Sequence, residues 1–70
     1  MSKKRNHEWE LYKFYLHQYM AVRVAMDEMN QAIATRMIRA EHVAETLRMY
    51  GHIAAHLKPI VEKYEQGLRS

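Results

Sequence analysis

The amino-acid sequence predicts an all-α protein, an antiparallel helical hairpin that assembles into a homodimeric four-helix bundle. Three observations predict it. Apolar residues follow a heptad repeat, only two Gly and one Pro interrupt the chain, and 70 residues without a cysteine are too few to build a large core alone. The repeat predicts how the helices pack, the few Gly and Pro predict long helices, and the short chain without cysteine predicts the dimer.

The heptad repeat defines the expected seam between helices. From Tyr12 at position a to Leu68, every a position is apolar, and from Tyr15 to Tyr64 Arg36 is the single charged residue at position d. Such a repeat indicates helices packed along a common seam. We expect the core and oligomer interface to comprise the following seam residues: Tyr12, Tyr15, Tyr19, Val22, Met26, Met29, Ile33, Leu47, Tyr50, Leu57, Val61 and Tyr64.

The seam is expected to fold back on itself. Additional apolar residues, such as Leu11 and Ile60, widen it at both ends, and wide apolar faces are typical of helices in globular proteins. Antiparallel pairing of Tyr19 with Leu57 places the turn near residue 38, next to Arg36.

These positions set the predicted boundaries. The first helix should run from Asn6, as N-cap, to Thr35, and the second from Ala40 to Gln66, with Gly67 ending it. Residues 1–5 are expected to be a flexible basic tail, and residues 6–70 one helical domain.

Two points leave alternatives open. Residues 35–41 contain no Gly, Pro, Asn or Asp, so one continuous helix remains an alternative to the hairpin. Gly51 and Pro59 both disfavour a helix interior. The second helix is therefore expected either to kink near Ala55 or to split at Gly51.

Self-association is expected because one short chain buries little apolar surface. The chain has no cysteine to form a disulfide, so a partner chain is the remaining source of stability. We expect a homo-oligomer, most simply a dimer, although this seam does not specify the number of helices.

The chain start does not resemble a secretion signal. Its basic residues are followed by Asn6, His7 and Glu8 around Trp9, not by an apolar segment, and no apolar run approaches the roughly 20 residues of a membrane span. A cytoplasmic protein without membrane contact is the expectation.

The sequence carries no pattern typical of an enzyme. Glu41 and Glu45 stand four apart, as do His52 and His56, but no Gly-rich phosphate loop or nucleophile turn accompanies them. We expect no catalytic residues, no cofactor and no physiological metal, although a metal held by the two histidines stays open.

Several apolar residues lie outside the seam and point to a binding function. Phe14, Met20, Val24 and Met49 occupy positions that a simple two-helix coiled coil exposes to water. We expect them to contact a partner. The leading hypothesis is a small interaction protein that binds or modulates another macromolecule, foremost a protein, like the accessory regulators and inhibitors of phages and plasmids.

The alternative hypothesis is a nucleic-acid-binding regulator. The net charge is +3, and aromatic residues lie beside basic ones near the start of the chain. The basic residues that would carry this function are Lys3, Lys4, Arg5, Lys13, Arg39 and Arg48.

Overall fold

The computed structural model of the protein describes residues 3–69, and the side chains of residues 6–69. It consists of two helices, α1 (Lys3–Ala34) and α2 (Ala40–Arg69), packed against each other as a hairpin. The all-helical hairpin predicted from the sequence is therefore confirmed, and the continuous single helix is excluded.

Helix α1 begins earlier than predicted. It starts at Lys3, so Asn6 lies inside the helix and is not its N-cap. The predicted basic tail thus overlaps α1 at residues 3–5, and its first two residues lie outside the described part of the chain.

The turn after α1 is built as a Schellman motif. Arg36 has a φ of 61°, and its backbone N–H donates to the carbonyl of Ile33 at 3.0 Å. The backbone N–H of Met37 donates to the carbonyl of Ala32 at 2.9 Å. These two bonds satisfy carbonyls that the helix end would leave free. Glycine usually occupies the left-handed position of this motif. Here Arg36 takes it, so residues 35–41 contain no residue type that signals a turn.

Helix α2 begins without a capping side chain. The carbonyl of Arg39 accepts a hydrogen bond from the backbone N–H of His42 at 3.0 Å, which places Arg39 at the N-cap position. The Arg39 guanidinium lies 3.6 Å from the carboxylate of Glu41 in the first turn. A negative charge there is favourable next to the helix dipole.

Helix α2 is continuous through Gly51 and Pro59, the two residues that disfavour a helix interior. The predicted split into a third helix therefore does not occur. Pro59 has no backbone N–H to donate to the carbonyl of Ala55, four residues earlier. Both residues are exposed, so water can donate a hydrogen bond to that carbonyl instead.

The predicted end of α2 at Gly67 is wrong. The helix continues to Arg69, whose guanidinium donates a hydrogen bond to the Glu65 carboxylate at 2.9 Å across Gly67. This i,i+4 ion pair supports the last turn. No glycine has a positive φ in the described range, so Gly67 is not a left-handed cap.

The seam between α1 and α2 holds the most shielded side chains. Ala54, Leu57 and Val61 on α2 are buried. The other predicted seam residues, Leu57 and Val61 aside, are all half-buried. Arg36 and Ala40, the seam positions at the turn, are exposed.

The hairpin is a thin rod. Its Cα atoms span 51 × 16 × 15 Å, with a radius of gyration of 15.8 Å. A compact domain of this length would have a radius of gyration of about 11 Å. Within the described residues, neither helix is apolar enough over a sufficient length to cross a membrane.

Candidate interaction surfaces

The two sides of the hairpin differ in chemistry. Because α1 and α2 run antiparallel, residues rotated from the seam in the same sense on both helices emerge on the same side of the hairpin. Arg23 and Asp27 on α1 and Ala55 and Lys58 on α2 are rotated one way and line one shallow groove. We call the side that contains this groove the polar face.

The opposite side is the apolar face. It is defined by residues about a quarter-turn from the seam in the other sense: Leu11, Phe14, Gln18, Ala21, Ala25 and Ala32 on α1, and His42, Thr46, Met49, Ile53, His56 and Ile60 on α2. Two charged residues lie in the same columns, Glu28 seven residues after Ala21 and Lys63 seven residues after His56. The strip is therefore mostly but not entirely uncharged, and exposed apolar side chains along it are unusual on a surface that only water contacts.

The apolar face exposes its largest side chains. Phe14 is 55% exposed, Met49 56% and Ile53 41%, whereas Leu11 and Ile60 are half-buried. Side chains of this size would each contribute about 1.5–3 kcal/mol if they were fully buried. Much of the chain's apolar surface is therefore not buried within the hairpin itself.

Aromatic rings connect the seam to the apolar face. Tyr15 stacks on Tyr64 across the seam, with ring centroids 5.9 Å apart and planes 9° apart. Phe14 meets the Tyr15 ring edge-on at 5.3 Å, with an interplanar angle of 76°. Phe14 is thus held in place from behind while most of its own outer surface is open.

The polar face is organised by charged and hydroxyl groups. The Arg23 guanidinium donates a hydrogen bond to the Tyr19 hydroxyl at 2.9 Å and lies 5.8 Å from the centroid of the Tyr19 ring. The groove beside them is open to solvent and is closed at its base by Met26 and Gly51. This face is open to solvent along the groove and, among the described residues, has no continuous apolar strip.

The four residues predicted to contact a partner are all exposed, but they do not form one surface. Phe14 and Met49 belong to the apolar face. Met20 and Val24, each 53% exposed, lie one turn apart on the outer side of α1, toward the polar face. The sequence pattern therefore identified exposed apolar residues and did not show that they belong to two surfaces.

Three of the predicted nucleic-acid residues, Lys13, Arg39 and Arg48, have described side chains; they lie apart from one another, and each has an acidic neighbour. The Lys13 ammonium lies 3.2 Å from the Glu10 carboxylate, and the Arg48 guanidinium lies 3.7 Å from that of Glu45. Arg39 is beside Glu41 at the turn, and Lys13 is near the other end of the rod. The side chains of Lys3, Lys4 and Arg5 lie outside the described residues.

The remaining titratable residues do not converge. His52 and His56 are exposed on α2, as are Glu41 and Glu45. Among the described residues, no three His, Asp or Glu side chains come together in a group that could hold a metal ion.

Sequence reasoning missed that the residues flanking the seam form a single face. The heptad repeat alone presents Leu11 and Ile60 as local widening of the seam at its two ends. The spacing of Met49, Ile53 and Ile60, four and seven apart, is the signal that could have revealed the stripe. The sense of rotation in an antiparallel pair then assigns it to the same side as Phe14.

Comparisons with models of protein families, with curated proteins and with solved structures give no match. Function must therefore be inferred from the chain's own surfaces.

Proposed function

We propose that this protein is a small, non-enzymatic interaction module. In this proposal two hairpins associate through their apolar faces into a four-helix bundle, and the outer side of α1 binds and modulates another protein. The observation that supports this proposal is the large solvent-exposed surface of a single hairpin.

The exposed area is too large for a compact monomer. The chain exposes 5839 Å², whereas a compact monomer of its mass exposes about 4,600 Å². The excess is roughly 1,200 Å² per chain. Covering it on two chains would exceed the roughly 1,600 Å² of a standard stable interface.

The composition of the apolar face favours a second copy as its cover. The face carries mostly uncharged side chains, with Glu28 on α1 and Lys63 on α2 as its charged members, so it can meet its own image with little like-charge repulsion. Two-fold association also uses the same patch on both chains, which a single mostly apolar strip provides. The bundle would bury Phe14, Met49 and Ile53 in a common core.

Met20 and Val24 would remain exposed in this bundle. They form a small apolar patch on the outer side of α1, beside the charged polar face. Apolar contacts next to charged groups are typical of transient protein interfaces. This patch favours a protein partner. A nucleic acid is less favoured because Lys13, Arg39 and Arg48 each have an acidic neighbour.

Sedimentation equilibrium at micromolar concentrations tests the self-association. Ile53→Glu places a charge on the apolar face and should convert dimer to monomer. Ala55→Glu adds the same charge two residues away on the polar face and should leave the dimer intact. A native chain that stays a cooperatively folded monomer would contradict the proposal.

Partner binding is tested by capture from the native host with nuclease treatment, read by mass spectrometry. Met20→Glu with Val24→Glu should abolish capture of a specific protein. His17→Glu with Gln31→Glu, also exposed on α1, adds equal charge and should preserve it. Capture lost only on nuclease treatment would instead support a nucleic-acid partner.

A further inference from the structure

The turn between α1 and α2 carries backbone strain and contains no residue type that prevents a helix. We infer that two chains open at residues 36–39 into continuous helices and exchange α2, so that each α1 packs on the partner's α2. The exchanged dimer would keep the seam of the hairpin, with its contacts formed between chains. This inference concerns the turn and the seam and goes beyond the proposed function, which concerns the apolar faces.

The first argument is the heptad phase, which is the same in α1 and α2. Ile33 in the seam of α1 and Leu47 in the seam of α2 are both half-buried, and they are two heptads apart in the sequence. Two helices joined by a turn can pack at any relative phase, because the turn absorbs the rotation. A continuous helix needs the same phase on both sides to keep one unbroken apolar stripe. The shared phase therefore suits an opened chain as well as a hairpin.

The second argument is the conformation of the turn. Thr35 still makes a helical hydrogen bond, from its backbone N–H to the carbonyl of Gln31 at 2.9 Å. Arg36 then adopts a φ of 61°, a left-handed value that a Cβ disfavours, although residues 35–39 include no Gly, Pro, Asn or Asp. The side chains of the turn are exposed except Ile38, which is half-buried. A helical conformation would therefore relieve the strain at Arg36 and uncover little apolar surface.

The third argument is the start of α2, where no side chain caps the first turn. The backbone N–H of His42 donates to the carbonyl of Arg39 at 3.0 Å, a bond across three residues. In a continuous helix the N–H groups of residues 40–43 would donate to the carbonyls of residues 36–39. Opening would therefore give full helical hydrogen bonding at the place where α2 now begins.

A second copy is required because an opened single chain would expose its seam to water. Tyr15 stacks on Tyr64, and Met26 lies beside Gly51, and both pairs are centred near residue 39 of the sequence. Two opened chains related by a two-fold axis at residue 39 would bring Tyr15 of each chain to the level of the partner's Tyr64. The register of the hairpin therefore sets the register of the exchanged dimer, and the same contacts are formed again.

The exchanged dimer would be about twice as long as the hairpin. The hairpin spans 51 Å, whereas a continuous helix over residues 3–69 would be roughly 100 Å long. The patches formed by Met20 and Val24 on the two chains would lie on opposite halves of this rod. Exchange would thus set the spacing between two copies of the proposed partner-binding patch.

Distances within one chain test the exchange. Spin labels are attached at Asp27→Cys and Ala55→Cys, two exposed positions on the same groove of the hairpin, in a chain with no other cysteine. The labelled chain is refolded with a large excess of unlabelled chain, from micromolar to millimolar concentration, so that double electron–electron resonance detects only distances within one chain. The hairpin gives a short distance, and an opened chain gives about 42 Å. We expect the longer distance to grow with protein concentration.

Two substitutions at the turn give a matched comparison. Arg36→Ala and Arg36→Gly remove the same charge, but glycine relieves the strain of the hairpin and disfavours the helix, whereas alanine favours the helix. The association constant of the exchanged dimer should be at least about tenfold higher for Arg36→Ala. The short distance alone in both variants, up to millimolar concentration, would overturn the inference.

The same experiment separates this inference from the proposed function. If only the short distance is found and sedimentation still shows a dimer, the exchange is wrong and association through the apolar faces stands. If only the short distance is found and the native chain is a monomer, both are wrong. Ile53→Glu should leave the longer distance at millimolar concentration unchanged, and its loss would contradict an exchange carried by the seam.

Discussion

Tyr15 and Tyr64 stack nearly parallel across the hairpin, with ring centroids 5.9 Å apart. This contact joins α1 and α2 far from the turn, where closing the hairpin is most costly in chain entropy. It also supports Phe14 from behind. Tyr15 and Tyr64 are therefore one of the contacts that close the seam near the open end of the hairpin.

The energy of this pair can be isolated by a double-mutant cycle. Tyr15→Leu, Tyr64→Leu and the double variant should show a coupling of about 0.5–1.5 kcal/mol in the free energy of unfolding. Urea denaturation followed by circular dichroism at one protein concentration measures it. Tyr50→Leu combined with Tyr64→Leu provides the control, since these residues are distant and their effects should add.

Replacing Arg36 should stabilise the turn. Arg36 holds a φ of 61°, where a Cβ costs roughly 1–2 kcal/mol that glycine does not pay. Arg36→Gly should raise the free energy of unfolding by about 1 kcal/mol. Arg36→Ala removes the same charge but keeps the Cβ, so an equal gain for both variants would show that charge, not backbone conformation, is responsible.

Gly51 offers a second stabilising substitution. A Cβ at Gly51 would make an ordinary contact with Met26, 3.9 Å away, and would not clash. Gly51→Ala should therefore stabilise the protein by about 1 kcal/mol, the difference in helix propensity. Gly67→Ala in the last turn of α2 should gain less, and a thermal melt that ranks the two in the other order would contradict this reading.

Leu57 should be the most sensitive position in the seam. It is 5% exposed, the lowest exposure among the buried residues, and its truncation leaves a cavity between the helices. Leu57→Ala should cost roughly 2–4 kcal/mol of stability. Val24→Ala, at a residue that is 53% exposed, should cost under about 0.5 kcal/mol in the same denaturation experiment.

The heptad repeat predicted the fold class, the pairing of the helices and the shielded seam. It did so because burial along a seam follows directly from apolar spacing. The ends of the helices were predicted less accurately. Arg36 adopts a conformation that its side chain disfavours, and the ion pair between Arg69 and Glu65 extends α2 past Gly67. Neither effect is visible in local residue preferences.

The candidate surfaces were only partly predictable for a different reason. The sequence identified Phe14, Met20, Val24 and Met49 as apolar residues outside the seam. Assigning them to two faces depends on the sense in which each residue is rotated from the seam, and apolar spacing along one helix does not by itself show which side of the other helix that rotation meets.

Trp9 is the single tryptophan of the chain, and it lies with Tyr12 beside Leu68 and Arg69, where the two helices end together. The indole is therefore a built-in fluorophore for the free end of the rod. Its emission maximum and anisotropy report on the approach of the two helix ends, while circular dichroism averages over every residue. Fraying that starts at this end would shift the fluorescence before the bulk ellipticity changes.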